Sequence, residues 1–565
     1  MNSRRRSGRR RLTAELLGAV MALAASGDFT YGERPWVYAL THVKIVTAPG
    51  QVIEKGTLVI RGGLIEAVGE SVEAPPDAEV IEGEESWTVY PAFIDSAAKV
   101  GIKVEERESQ SGPPNFAAIA ARLSRPRPKP KGAPHELSAI HPEKAVVDEL
   151  DAGDHKIKRH RKLGFALAQV IPLKGVFRGY TTLFALREGV ARQLIVKDRY
   201  AQVVSLETSG FFGPEYPTSK IGAIAAVRQA LLDARRKAVW KQRYERNPRG
   251  LKRPEFESSD RALMAALEGR VPVLFVANAT FDHGRFAKLG REFGLRGMTL
   301  ALGCQERLSR LQAGGMPVLL PLQFPKKPKV DSEDAIEAVS LEQMQTYLRA
   351  PGLPALLADA GVEFAFATVG MTTVSDFSKN LKKVVEAGLS EEKALAALTT
   401  TPARLLGLSQ VVGTLEPGKI ANLLVVDGDL FSDKPKFRYL FVDGRGEEFE
   451  AKEKKGHPEA VVDPRGDWEI TTEVMGRSLQ STWTIEGTAG AYSGYSESER
   501  GRRDFESVEL EGDAMTIQVG SPMGTMEITV VISGETLAGD TTIDSPRGSI
   551  SIKVTGKRVS GPEGD

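Results

Sequence analysis

Tyr90-Pro91-Ala92-Phe93-Ile94-Asp95 ends an apolar run that opens at Trp87, and the reading of the chain turns on it. A run of this kind, apolar throughout and stopped by an acid, suits a strand covered on both faces. Upstream stand three short strand-like runs, His42-Val43-Lys44-Ile45-Val46, Gly56-Thr57-Leu58-Val59-Ile60 and Gly63-Leu64-Ile65-Glu66-Ala67-Val68-Gly69. Glycine and proline punctuate them, which predicts a small β-unit with tight turns.

Downstream, strand and helix patterns alternate from about 162 to 408. Val271 to Val276 is a buried-strand run, and Phe286, Leu289 and Phe293 then follow at helical spacing. Met298 to Leu302 predicts a strand, Arg307 to Gln312 a helix, and Met316 to Leu320 and Val362 to Ala367 two further strands. Ser390 is placed to cap a helix whose first turn carries Glu391 and Glu392. Repeated β-then-α units of this length predict α/β architecture with a parallel barrel. Within it, 108–145 reads as an irregular basic, proline-rich insertion, Asp151 to Arg161 as a solvated helix face, and Arg178 to Thr182 as a loop.

Residues 410–450 return to β-character, and 451–467 read as a polar linker. From 468 to 560 the chain alternates apolar and polar residues, as in Met515-Thr516-Ile517-Gln518-Val519 and Met526-Glu527-Ile528-Thr529-Val530. Glycine turns separate these runs, which predicts a separate all-β meander or small barrel.

The 565 residues are too many for one core and suggest about three domains. A net charge of +1 gives no support for nucleic-acid binding. Cys304 is the one cysteine, so an intrachain disulfide and a cysteine-cluster zinc site are excluded. At the start, Arg4, Arg5, Arg6, Arg9, Arg10 and Arg11 precede an apolar run from Leu16 to Ala25. Ala22-Leu23-Ala24 then has the form of a cleavage site. Residues 1–26 are therefore read as a signal peptide, and the mature chain as periplasmic or extracellular. No later apolar run reaches about 18 residues, so no transmembrane anchor is expected.

Gly63 to Gly69 followed by Tyr90 to Asp95 resembles the start of amidohydrolase-superfamily enzymes. Thr400-Thr401-Pro402-Ala403-Arg404-Leu405-Leu406-Gly407-Leu408 resembles their last barrel helix. Gly413-Thr414-Leu415-Glu416-Pro417-Gly418-Lys419-Ile420-Ala421-Asn422-Leu423 resembles the return to their β-domain. The resemblance covers about 37–446, and 271–398 looks most like the imidazolonepropionase-like branch. It implies a (β/α)8 barrel over 93–408 and a composite β-sandwich from 36–92 and 409–450. It also implies one or two divalent metals at the barrel mouth, which lower the pKa of a water that attacks an amide or lactam carbon.

The resemblance places the ligand positions on residues that do not suit a metal. After Asp95 they fall on Ala97 and Lys99, in the middle strands on Val276 and Leu302, and at the last strand the aspartate position is Val369. Ala97 has no donor atom, and Lys99 could ligate only as the neutral amine. The seven histidines are His42, His135, His141, His155, His160, His283 and His457, and none stands in a His-x-His pair. His283, His155 and His160 are weak metal candidates, weighed against a surface histidine and a solvated charged helix. Asp95, Lys99 and Cys304 are candidates for other chemistry. Asp95 is weighed against a role in orienting local structure, and Cys304 against a small buried thiol.

Three functions are compatible with this reading. The first is a non-catalytic barrel without a metal cofactor, serving as a binding protein or as partner to an active amidohydrolase or to copies of itself. The second is an active carbon–nitrogen hydrolase with a rearranged site for zinc or another divalent metal. The third lodges a ligand-binding role in the 468–560 module.

Overall fold

A computed structural model describes residues 36–102, 135, 137–154, 156–209, 216–254, 258–279, 281–302, 308–325, 327–328, 332, 337, 339–371, 373–449, 462–474, 477–488, 491–498, 501–521, 524–545 and 548–560. The leader 1–26, most of the 108–145 insertion and of the 451–467 linker, His155 and Cys304 lie outside them.

The first sheet draws its strands from both flanks of the chain. They are β1 (Val37–Ala48), β2 (Gln51–Arg61), β3 (Leu64–Gly69), β4 (Glu79–Glu82) and β5 (Trp87–Pro91), then β16 (Leu423–Asp427), β17 (Lys436–Val442) and β18 (Arg445–Glu448). The order is β18-β17-β16-β5-β1-β2-β3, with β4 beside β1. Leu40, Ile45, Leu58, Ile60, Val89, Leu423, Val425 and Phe441 pack one apolar cluster across it, so the two flanks share a core.

The run from Trp87 to Ile94 does not stay in one strand. It breaks at Ala92, whose N–H donates to the Asn422 carbonyl at 3.0 Å. β5 belongs to the first sheet, whereas β6 (Phe93–Ala98) pairs in parallel with β7 (Phe165–Val170). All six residues of β6 are buried.

The alternating region holds two ladders. β6 and β7 share a four-stranded sheet with β9 (Thr182–Ala185) and β10 (Ile195–Lys197). The other sheet has six strands, β8 (Phe177–Tyr180), β11 (Gln202–Ser205), β12 (Val273–Ala277), β13 (Gly297–Ala301), β14 (Val318–Pro321) and β15 (Phe364–Ala367). β11 to β15 run parallel, each paired with the next. β8 is antiparallel to β11 and β9 is antiparallel to β7. This pair comes from the segment read as a loop at Arg178 to Thr182. Gly179, at φ +105° within β8, lies beside the irregularity in the pairing of β8 with β11. The reversal interrupts the parallel ladder, so the hydrogen bonds form two sheets where a single ring was expected.

Helices cover the parallel strands. Asp282–Phe293 follows β12, and its Phe286 stacks on Phe275 with ring centroids 4.8 Å apart. Ser390 caps Glu391–Leu398 by accepting the Lys393 N–H at 3.3 Å, as the sequence predicted. Apolar residues of both sheets and their helices form one continuous cluster.

Two surface assignments are overturned by burial. Residues 137–145 dock on β8, where Ile140 is fully buried and bridges Phe177. Helix Lys156–Arg161 buries Ile157, His160 and Arg161, and Arg161 pairs with Glu447 at 2.6 Å.

The tail closes into an eight-stranded antiparallel barrel. Its strands are β19 (Gly466–Val474), β20 (Arg477–Thr488), β21 (Ala491–Ser498), β22 (Gly501–Glu511), β23 (Ala514–Ser521), β24 (Gly524–Ser533), β25 (Thr536–Ser545) and β26 (Gly548–Ser560), with β26 returning to pair with β19. Trp468, Trp483, Ile485, Met515, Ile517 and Val530 are among the side chains that fill it.

Candidate functional site

The site lies where β6 meets the chain leaving β15. Ser96 Oγ donates to the Phe366 carbonyl at 2.6 Å, and the Val369 N–H donates to the Ala97 carbonyl at 2.9 Å. These bonds join the two sheets along a seam that neither ladder includes.

Asp95 organises the seam from a fully buried position. Its Oδ1 accepts the Thr368 N–H at 3.0 Å and the Ala97 N–H at 3.2 Å. Its Oδ2 bonds the Thr368 hydroxyl and lies 3.6 Å from His160 Nε2. His160 is 2 % exposed, and its Nε2 reaches Thr368 Oγ1 at 3.1 Å. The other ring nitrogen, Nδ1, stands 2.9 Å from the Lys156 carbonyl. A carbonyl only accepts, so Nδ1 carries the hydrogen. Desolvation raises the Asp95 pKa to about 7, against the pull of its bonds from Thr368 and Ala97. Desolvation lowers the His160 pKa to about 4, and the Lys156 carbonyl partly offsets this.

These contacts fix a proton count. A neutral His160 with hydrogen on Nδ1 has only a lone pair at Nε2, so Thr368 must donate to it. The Thr368–Asp95 bond then needs a hydrogen from the carboxyl group. An imidazolium with a carboxylate satisfies the same contacts in the opposite direction, with the same number of protons. The two pKa shifts favour the neutral acid and the neutral imidazole.

Of the positions expected to hold metal ligands, Ala97 and Val369 meet at this seam, and both are apolar. Ala97 is fully buried and Val369 is 8 % exposed. Leu302, just past β13, is half-buried, and a Cβ built on Gly370 would sit 2.7 Å from its Cδ2. Val276 is fully buried within β12, and Lys99 is exposed just past β6. Asp95 already accepts two backbone N–H groups and contacts one hydroxyl. Among the described residues, no group of three or more His, Cys, Asp or Glu side chains is placed to hold an ion. This donor set does not fit the divalent metal that the resemblance implies.

His283 is a core residue, not the surface residue that its polar neighbours suggested. It is fully buried, donates from Nε2 to the Leu311 carbonyl at 3.2 Å, and has its pKa lowered by burial. Its role is to join helix Asp282–Phe293 to helix Leu308–Gly314. His160 likewise leaves the solvated-helix reading and joins Asp95. Sequence reasoning missed Thr368. The only sequence signal for the burial of His160 is the helical spacing of Ile157, His160 and Arg161, and the charged residues between them mask it.

The amidohydrolase family model matches residues 349–475. Imidazolonepropionase from Maricaulis maris (strain MCS10) is 26% identical over 399 residues, covering 66% of this chain and 88% of the relative. The crystal structure of an amidohydrolase from Thermotoga maritima MSB8 superposes with a TM-score of 0.57 at 20% identity, covering 72% of this chain and 99% of that one. The motifs at both ends of the alternating region, the shared flanking sheet, the family-model match and the similarity to an imidazolonepropionase together support a place in the amidohydrolase superfamily.

Proposed function

We propose that this chain is a non-catalytic, exported member of the superfamily that acts as a binding or partner subunit. The observation that carries the reading is the chemistry of the seam. Ala97, Leu302 and Val369 bring methyl groups to places where a hydrolytic centre needs ligands. The remaining carboxyl group, Asp95, is engaged by Thr368, Ala97 and His160. Activating a water for attack on a carbon–nitrogen bond takes a metal or an accessible base, and Asp95 and His160 are both closed to solvent. In this reading the two sheets are parts of one (β/α)8-type barrel, joined by the Ser96 and Val369 bonds and disturbed by the β8–β9 reversal. The similarity in fold to the Thermotoga amidohydrolase supports that reading. Export rests on the leader 1–26, and among the described residues no helix is long and apolar enough to cross a membrane.

A second reading keeps hydrolysis of carbon–nitrogen bonds, and the similarity to an imidazolonepropionase favours it. Its ligands would come from Asp95, Lys99, the surviving histidines and the acidic residues of 102–109, with zinc or a similar ion. Elemental analysis of the purified protein, with a hydrolysis panel of N-acyl amino acids, dipeptides and cyclic amides, separates the two. A metal-free, inactive protein is the expected result. Stoichiometric zinc with turnover would overturn the first reading.

A further inference from the structure

Helix Lys220–Arg246 runs for 27 residues, but its buried positions, Ala223, Ala226, Val227, Ala230, Leu231 and Ala234, all lie within its first fifteen. The remaining three turns hold no fully buried residue, and they touch the neighbouring elements through Arg235, on the Phe293 carbonyl at 2.9 Å, and Lys237, paired with Asp260 at 3.1 Å. Between 235 and 253 stand nine lysines and arginines against one acid, Glu245, in a chain whose net charge is +1. The excess is therefore local.

Its arrangement on the helix is ordered. Leu232, Arg236, Val239, Arg243 and Arg246 follow one another at spacings of four and three, which places them on one face. Leu232 is 50% exposed and Val239 49%, and the three arginines are exposed as well. Arg236 approaches Asp233 only at 3.9 Å. Among the described residues, Arg243, Arg246 and Arg249 make no ion pair. Trp240 and Tyr244 flank the stripe, both half-buried, and exposed Leu251 follows the helix.

We propose that this face is a docking surface for an anionic phospholipid bilayer. Guanidinium groups match headgroup phosphates in pairs of hydrogen bonds. Exposed leucine and valine between them gain by entering the acyl boundary, and tryptophan and tyrosine suit the interface. A nucleic-acid backbone uses the arginines but offers little to the aliphatic side chains. The helix lies in the plane of the surface and does not span it. Near-neutral net charge makes the binding oriented, through this face, rather than general.

Flotation of the full-length protein with lipid vesicles tests this. Binding is expected to phosphatidylcholine vesicles containing phosphatidylglycerol, to weaken with added sodium chloride, and to be lost with phosphatidylcholine alone. The double substitution Arg243→Glu/Arg246→Glu should lower the partition coefficient about ten-fold or more. Val239→Asp should lower it without altering the basic residues. Both changes are on the surface, and unchanged circular dichroism checks the fold. Equal binding to both vesicle types overturns the proposal, as does full binding by the variants. Binding to single-stranded RNA or polyglutamate with none to vesicles overturns it too.

Discussion

Thr368 and His160, 208 positions apart in sequence, meet at 3.1 Å between a hydroxyl and a ring nitrogen in the buried interior. Asp95 Oδ2 holds the same hydroxyl and lies 3.6 Å from that ring nitrogen. The three residues join β6, the end of β15 and helix Lys156–Arg161 through a chain of bonds that is complete only with one shared proton.

That proton makes the stability of the pair nearly independent of mild acid. Asp95 has a folded value of about 7, above its unfolded 3.8, so alone it stabilises at low pH and loses this as pH rises toward 7. His160 has a folded value of about 4, below its unfolded 6.5, so alone it stabilises above 6.5 and loses this as pH falls toward 4. Between these limits unfolding moves the proton from Asp95 to His160, and the effects cancel. His160→Gln should therefore lose stability, relative to the unsubstituted protein, as pH rises from about 4 to about 7. Asp95→Asn should lose it as pH falls from about 6.5 to about 4. Each slope approaches ~1.4 kcal/mol per pH unit at most. Thermal unfolding across pH measures both, and slopes of the same sign would refute the shared proton.

Thr368→Val removes the hydroxyl that links the other two residues and leaves two buried polar groups short of a partner. A loss of about 2–4 kcal/mol is expected in denaturant titration. Thr368→Ser restores the hydroxyl and should recover most of it. If serine were as unstable as valine, the methyl group would be the feature that matters.

Ala97→His puts an imidazole into a fully buried methyl site. It should cost about 1–3 kcal/mol through overpacking. It should also bind no zinc, because a metal needs several convergent donors. Melting temperature and zinc content read the two effects separately. Stoichiometric zinc in this single variant would reveal ligands near Ala97 that the seam lacks.

Gly314 lies against the imidazole of His283, and a Cβ added there would sit 1.9 Å from Nε2. Gly314→Ala should destabilise by about 1–3 kcal/mol. Much of that should be absent in a His283→Ser background, and a double-mutant cycle measures the coupling. Additive effects would show that the ring moves aside freely.

The sequence carries the fold unevenly, for physical reasons. The 3.6-residue period of Phe286, Leu289 and Phe293 marks a helix packed on one side, and the Ser390 cap is local chemistry, so both are legible. The break at Ala92 is not, because both strands it separates are buried and neither shows a period. The β8–β9 reversal is hidden for a related reason. Gly179 marks a special backbone position, but nothing local says that it lies inside one of two short strands. At the site, Ala97 and Val369 are found because motifs flank them. His160 is disguised by its neighbours Lys156, Lys158 and Arg159, and Thr368 is an ordinary turn residue until a partner far away in sequence defines it.

The mixed origin of the first sheet sets a clock on biosynthesis. Trp87–Pro91 takes one of its neighbours from Leu423–Asp427, made roughly 330 residues later. At about 5–20 residues per second, that strand waits on the order of twenty seconds to a minute with one side open. The sheet is thus begun by the first part of the chain and finished by nearly the last before the tail barrel. A nascent chain that stops short of β16 leaves a buried strand unprotected, a substrate for chaperones and proteases.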